Sequence, residues 1–214
     1  MEIIEVKDHS AVKAFHQVGH DIYKDDQNWV PPLEALEDAA FDPTKNAFYK
    51  YGDGTRWILK GDDGKVIGRI GAFINGNRAY TFSQPTGGCG YFECIDDQKA
   101  ANLLFDTAKT WLTERGMEAM DGPVNFGENL INWGLLVEGF MQQGFGMPYN
   151  KPYYLPLFEN YGFKVYFNNT ATILITKNHS LNGSGRLQNG LPKSQTSDLN
   201  TSVLTISRNI SRIL

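Results

Sequence analysis

The chain has 214 residues, of which 41% are hydrophobic, 13% aromatic and 21% charged, with a formal net charge of −4. That balance suits one ordinary domain with a real core and excludes wholesale disorder or a fibrous class. An acidic chain without a basic stripe is not built to track a phosphate backbone, so no nucleic-acid partner is expected.

No apolar run nears the roughly 20 residues of a membrane span, and "MEIIEVKDHS" lacks the basic start and apolar block of a secretion signal. No membrane association and a cytoplasmic location are therefore expected. The alternation in "MEIIEV" predicts a first strand. Asp8 or Ser10 then caps a helix whose apolar positions include Val12, Phe15, Val18 and Ile22. His16 and His20 read as exposed helix positions, too weak a pattern for a metal site. Pro31 and Pro32 in "DDQNWVPPL" forbid helical continuation, and Trp29 and Leu33 are expected to pin that segment to the domain.

"TRWILKGDDGKVIGRIGAFIN" is the clearest hairpin, with two strand-like runs flanking the turn "GDDGK", and "CGYFECI" supplies a third strand. Cys89 and Cys94 fall five positions apart on that strand, so regular alternation sends them to opposite faces, which argues against a mutual disulfide. From Asp97 to Arg115, Ala101, Leu104, Ala108, Trp111 and Leu112 recur at helical spacing, with Gly116 placed as a left-handed stop. "MEAMDGPVNF" predicts another strand, and "YLPLFENYGFKVYF" a short helix leading into a last one. Between them lies a long Gly- and aromatic-rich segment. The order implies an α/β layer structure with a mixed, largely antiparallel sheet flanked by helices.

Beyond Phe167 the text is rich in Ser, Asn, Thr and Leu and holds no aromatic residue and no glutamate. Residues 1–167 are thus expected to form the domain, and 168–214 a tail that is either disordered or read out of frame. A shifted reading from the third base of the Asn168 codon can spell "LIEWIGKIAEWLAKEP", an amphipathic helix with a proline stop, and the intact protein would then differ beyond this point. The coding DNA past Phe167 decides between the two.

The stretches "YFECIDDQKAANLLFDTAKTWLTERGMEAMDG" and "LFENYGFKVYF" resemble the central strand, cofactor-side helix and late "LYEKxGF" signature of the GNAT acyltransferase superfamily. "QNWVPPL", "QPTGG" and "DGPVNFGEN" are similar to a bacterial GNAT-like group whose members are commonly about twice this long. The resemblance implies transfer of an acyl group from acetyl-CoA or another acyl-CoA to an amine, with a second GNAT-like domain as a possible partner in a full-length form. It implies that the backbone at Cys94 and Ile95 pairs with the pantetheine arm and that the following turn, near Lys99, holds the pyrophosphate. It also makes Glu93 a candidate base, and Tyr154 or Tyr161 a candidate acid in place of the tyrosine that Phe158 replaces.

The residues themselves strain against part of this. A helix N-terminus binds phosphate through bare amides, usually with glycine to admit the anion. "IDDQKAANLL" offers no glycine and only one nearby cation, Lys99, and Asp96 or Asp97 is expected to cap the helix with its own carboxylate. The counter-reading turns both aspartates outward and lets Lys99 help a phosphate. With no partner in the sequence to raise its pKa, Glu93 reads rather as an ordinary solvent-facing strand residue. In the long insertion, Asn125, Glu128, Asn129, Trp133 and Glu138 are candidates to bind a small polar ligand, unless the segment merely covers a sheet edge or a partner domain. A non-catalytic ligand-binding module is the rival function.

Overall fold

The computed structural model describes residues 1–127, 134–175 and 202–213. Strand β1 (Glu2–Glu5) leads into α1 (His9–Tyr23), capped by Asp8, whose side chain accepts from Ala11 N as expected. A loop and the short helix α2 (Glu34–Ala40) follow. Next come the hairpin strands β2 (Asp53–Lys60) and β3 (Val66–Ile74), the single turn α3 (Gly76–Ala79) and β4 (Thr86–Cys94). Helix α4 (Gln98–Thr113), β5 (Ala119–Gly122), the two-residue β6 (Leu135–Leu136) and α5 (Tyr154–Tyr161) complete the body, before the long strands β7 (Lys164–Ile175) and β8 (Ser202–Ile213).

These strands form one eight-stranded sheet in the order β1-β2-β3-β4-β5-β8-β6, with β7 paired to β8. The β4–β5 pair is parallel and the rest are antiparallel, the mixed sheet expected from the element order. Both β7 and β8 carry backbone from the compositionally distinct tail, and Arg212 on β8 forks onto Asp121 of β5 at 2.5 and 2.8 Å. No helix among the described residues is long and apolar enough to cross a membrane.

Two cores lie on opposite faces of the sheet. On one, Ala101, Leu104, Ala108 and Leu112 of α4 pack with Leu157 and Phe158 of α5, against Leu59, Ile70 and Cys89. On the other, Phe15 of α1 meets Ile58, Phe73, Tyr91 and Phe126. Gly116 and Gly162 end α4 and α5 at φ +80° and +113°, the left-handed stops a side chain would resist. Leu33 stays 59% exposed, so only Trp29 of the expected pair pins its loop, stacked 4.8 Å from the Tyr23 ring.

A bulge in β4 shapes the site. Arg69 pairs with Glu93 and Gly71 with Gly90, which leaves Ile70 opposite both Tyr91 and Phe92. Tyr91 takes φ +52° there. The extra residue reverses the alternation, so Cys89 and Cys94 share the α4 face and do not face opposite ways as regular pleating requires. Both are free and buried. Gly90 is needed beside the bulge, because a Cβ there would lie 1.8 Å from the Val124 carbonyl oxygen.

Candidate active site

Beyond the bulge, β4 and β5 part, and the sheet face toward α1 and α2 opens into a cavity of about 690 Å³. Its walls include Trp29, Val30 and Leu36 on one side and Phe126, Leu135 and Met147 on the other. Its floor is charged, formed by Glu37, Arg69, Glu93 and Tyr154.

Glu93 is buried, 9% exposed, and its Oε2 accepts from the Tyr154 hydroxyl at 2.6 Å. Burial pushes its carboxyl above the ordinary value, against the pull of Arg69 and of its hydroxyl partners. The expectation of a solvent-facing strand residue is thereby corrected: the bulge and the facing helices enclose it. Arg69 is 3% exposed and forks onto Glu37, Nη1 to Oε2 at 2.8 Å and Nη2 to Oε1 at 3.2 Å. The same Nη2 lies 3.7 Å from Glu93 Oε1. Phe15 stacks under this guanidinium at 4.5 Å and under that of Arg56 at 4.8 Å.

His16 is buried as well, not exposed: its Nδ1 lies 3.3 Å from Glu37 Oε2 and its Nε2 3.0 Å from Asp38 Oδ1. Burial lowers its proton affinity, but hydrogen bonds and charge from Glu37 and Asp38 overcome this and raise it. Glu37 is held down to about 2, since Arg69 and His16 outweigh the burial that would raise it. His20 remains half-exposed against Trp29. Among the described residues no group of three or more His, Cys, Asp or Glu is arranged to hold a metal ion.

The structure brings together Glu93 and Tyr154 but places Tyr161 elsewhere, its hydroxyl bonded to Asp106 at 2.7 Å on the outside of α4. Tyr154 is fully committed: it donates to Glu93 and accepts from Cys94 N at 3.0 Å, and burial raises its proton affinity well above normal. That makes it a partner of the carboxylate and a poor acid. Asn125 lines the cavity, whereas Glu138 is exposed and not among its lining residues. Glu128, Asn129 and Trp133 lie outside the described residues.

The insertion's described part is both wall and clamp. Asn150 Oδ1 accepts from Leu136 N at 2.7 Å while its Nδ2 donates to Leu136 O at 3.1 Å. Asp26, after α1, takes Tyr149 Oη at 3.1 Å and Lys151 Nζ at 2.8 Å, which ties the insertion to the α1–α2 loop across the cavity mouth.

A coenzyme diphosphate held at the start of α4 does not fit these residues. Asp97 Oδ1 accepts from Lys99 N at 2.7 Å and Ala100 N at 3.2 Å, the amides an anion would need. The Lys99 side chain is exposed, and Ile95 N is spent on Ile67 O at 3.0 Å. Nor is the strand edge at Cys94 bare, since its carbonyl accepts from the Tyr153 hydroxyl at 2.9 Å while its N–H is given to Tyr154. Phe158 is sealed in the aromatic core with Phe92 and Phe105.

No family profile matches the chain. Protein YghO of Escherichia coli K12 is 33% identical over 153 residues, 71% of this chain and 38% of its own length. The bacterial ceramide synthase of Caulobacter vibrioides is 33% identical over 145 residues, 65% of this chain and 36% of its own. The chain thus spans less than two-fifths of either relative. Among solved structures, a tandem GNAT protein from the clavulanic acid biosynthesis pathway superposes with a TM-score of 0.56 at 10% identity, over 88% of this chain and 53% of that one. The mixed sheet, the parting of β4 from β5 and these likenesses converge: the chain has the GNAT fold and is a homologue of YghO and of the Caulobacter ceramide synthase.

Proposed function

We propose that this chain forms the acceptor-binding part of an N-acyltransferase that joins an acyl group, carried as a thioester, to an amine with an apolar body. The observation that carries this is Glu93: a buried carboxyl of raised proton affinity, held by Tyr154 on the floor of a cavity whose walls are otherwise largely apolar. A carboxylate so placed accepts a proton from a bound ammonium and leaves the free amine needed for attack. Ceramide is an amide of a long-chain amino alcohol, and the relation to a ceramide synthase favours an acceptor of that general shape.

The chain's residues supply binding, orientation and proton removal at Glu93 Oε1, the oxygen not taken by Tyr154. They do not hold a donor's diphosphate at α4, so the donor's anionic end is bound elsewhere or by another part of a longer protein. A second GNAT-like domain is the partner of choice, as the tandem protein has.

The test is transfer from acyl-CoA thioesters to a panel of long-chain and short-chain amines, followed by thiol release. Glu93→Gln should lower kcat by about 10²–10⁴-fold and spare amine binding. Unchanged turnover in that variant would defeat the proposal. A non-catalytic ligand-binding module is the second reading, favoured by the Asp97 cap and by Phe158. It predicts amine binding without any turnover.

A further inference from the structure

We propose that Glu37, on the short helix α2, is a positioning residue for Glu93, acting through Arg69, whose guanidinium it grips at two points and so withholds from the base. The inference rests on Glu93 being that base. Without Glu37, the arginine fork 3.7 Å from Glu93 would be free to close on it as a tight ion pair. A carboxylate clamped in that way stays ionised and is a weak proton acceptor. The observed geometry instead has both Arg69 terminal nitrogens within 3.2 Å of Glu37, with only Nη2 shared toward Glu93.

The other groups facing Glu93 do not compete for this role. From α5, Tyr154 donates to the opposite carboxylate oxygen. From α1, the buried Tyr23 brings a neutral hydroxyl into electrostatic reach, while His16 faces Glu37. Arg56 on β2 is engaged by Asp38 at 2.7 Å, one position along α2, and stays outside the pair. The chain of contact therefore runs from His16 to Glu37 to Arg69 to Glu93, across four separate elements.

Opposite signs follow for two substitutions. Glu37→Gln keeps the shape of α2 but removes the anion that occupies Arg69 and also repels Glu93 directly, so the proton affinity of Glu93 should fall about tenfold or more. His16→Gln removes the cation that offsets Glu37, so that affinity should rise. Glu34→Gln removes an exposed carboxylate from the same helix, one that faces His20 and not His16 or Arg69, and should leave it in place.

The experiment labels glutamate carboxyls with ¹³C, identifies Glu93 by the resonance lost in Glu93→Gln, and follows its titration in the ligand-free protein. Movement down in Glu37→Gln, up in His16→Gln and none in Glu34→Gln supports the coupling. An unmoved midpoint in Glu37→Gln, or an equal shift in Glu34→Gln, overturns it. Should Glu37→Gln not fold, an unmoved midpoint in His16→Gln overturns it equally and a rise supports it. The acid limb of the kcat/KM profile should move with the resonance. If the resonance moves but no transfer occurs in any variant, the coupling stands and Glu93 is no base.

Discussion

Asp97 closes one end of α4 with a single carboxylate oxygen shared by two main-chain amides, and the consequences pull in opposite directions. Asp97→Ala should cost about 0.5–2 kcal/mol of stability, because the amides lose their partner. It should also strengthen coenzyme A binding measured by calorimetry, since the same amides become available to phosphate. Asp97→Asn, which keeps the acceptor and drops the charge, should preserve the stability. Tighter cofactor binding by the original protein than by Asp97→Ala would refute the exclusion. This cap is legible in the sequence because capping is local, set by an acidic side chain next to the first helical residues. The surroundings of Glu93 are not, since Tyr23, Glu37, Arg69 and Tyr154 converge on it from four elements. His16 eluded the helical pattern for the same reason: "PPLEALEDAA" gives little sign that α2 will cover it with two carboxylates.

The hairpin, α4 and the glycine-stopped α5 follow from period and turn chemistry, and each is found where the pattern puts it. The bulge in β4 leaves no mark in composition, because an extra residue alters parity without altering the residue types of a strand. Its effect is large: it turns Tyr91 and Glu93 to the cavity face while Cys94 joins Cys89 in the other core. Within the insertion one buried side chain, Asn150, is 6% exposed and serves both backbone groups of Leu136. Asn150→Ala strands a buried N–H and carbonyl, and about 1–3 kcal/mol of stability should go with them. The urea midpoint should drop with little change in slope, and amine affinity should weaken as the wall from 142 to 149 loosens. A midpoint within experimental error of the parent would mean that the clamp bears no load.

Across the whole molecule, the strip of charge between the sheet and the helices α1 and α2 makes stability a function of pH with limbs of different origin. Glu37 is held down to about 2 from an ordinary 4.5, so its contribution is complete above 4.5 and disappears as the pH falls toward 2. The shift corresponds to on the order of 3 kcal/mol for this buried group. His16 is raised above 6.5, so what it adds is complete below that value and is lost as the pH climbs through its folded pKa. Glu93, also raised, adds a loss of the same sign once the pH exceeds its ordinary 4.5. Stability should therefore peak in mildly acidic solution rather than near pH 8. Urea midpoints taken from pH 2 to 9 test this, with Glu37→Gln expected to flatten the acid limb and His16→Gln the alkaline one. A parent protein that is most stable above pH 8 would show that the buried imidazole is not charged in the fold. The strap of carboxylates around His16 and Arg69 would then be balanced by some other cation.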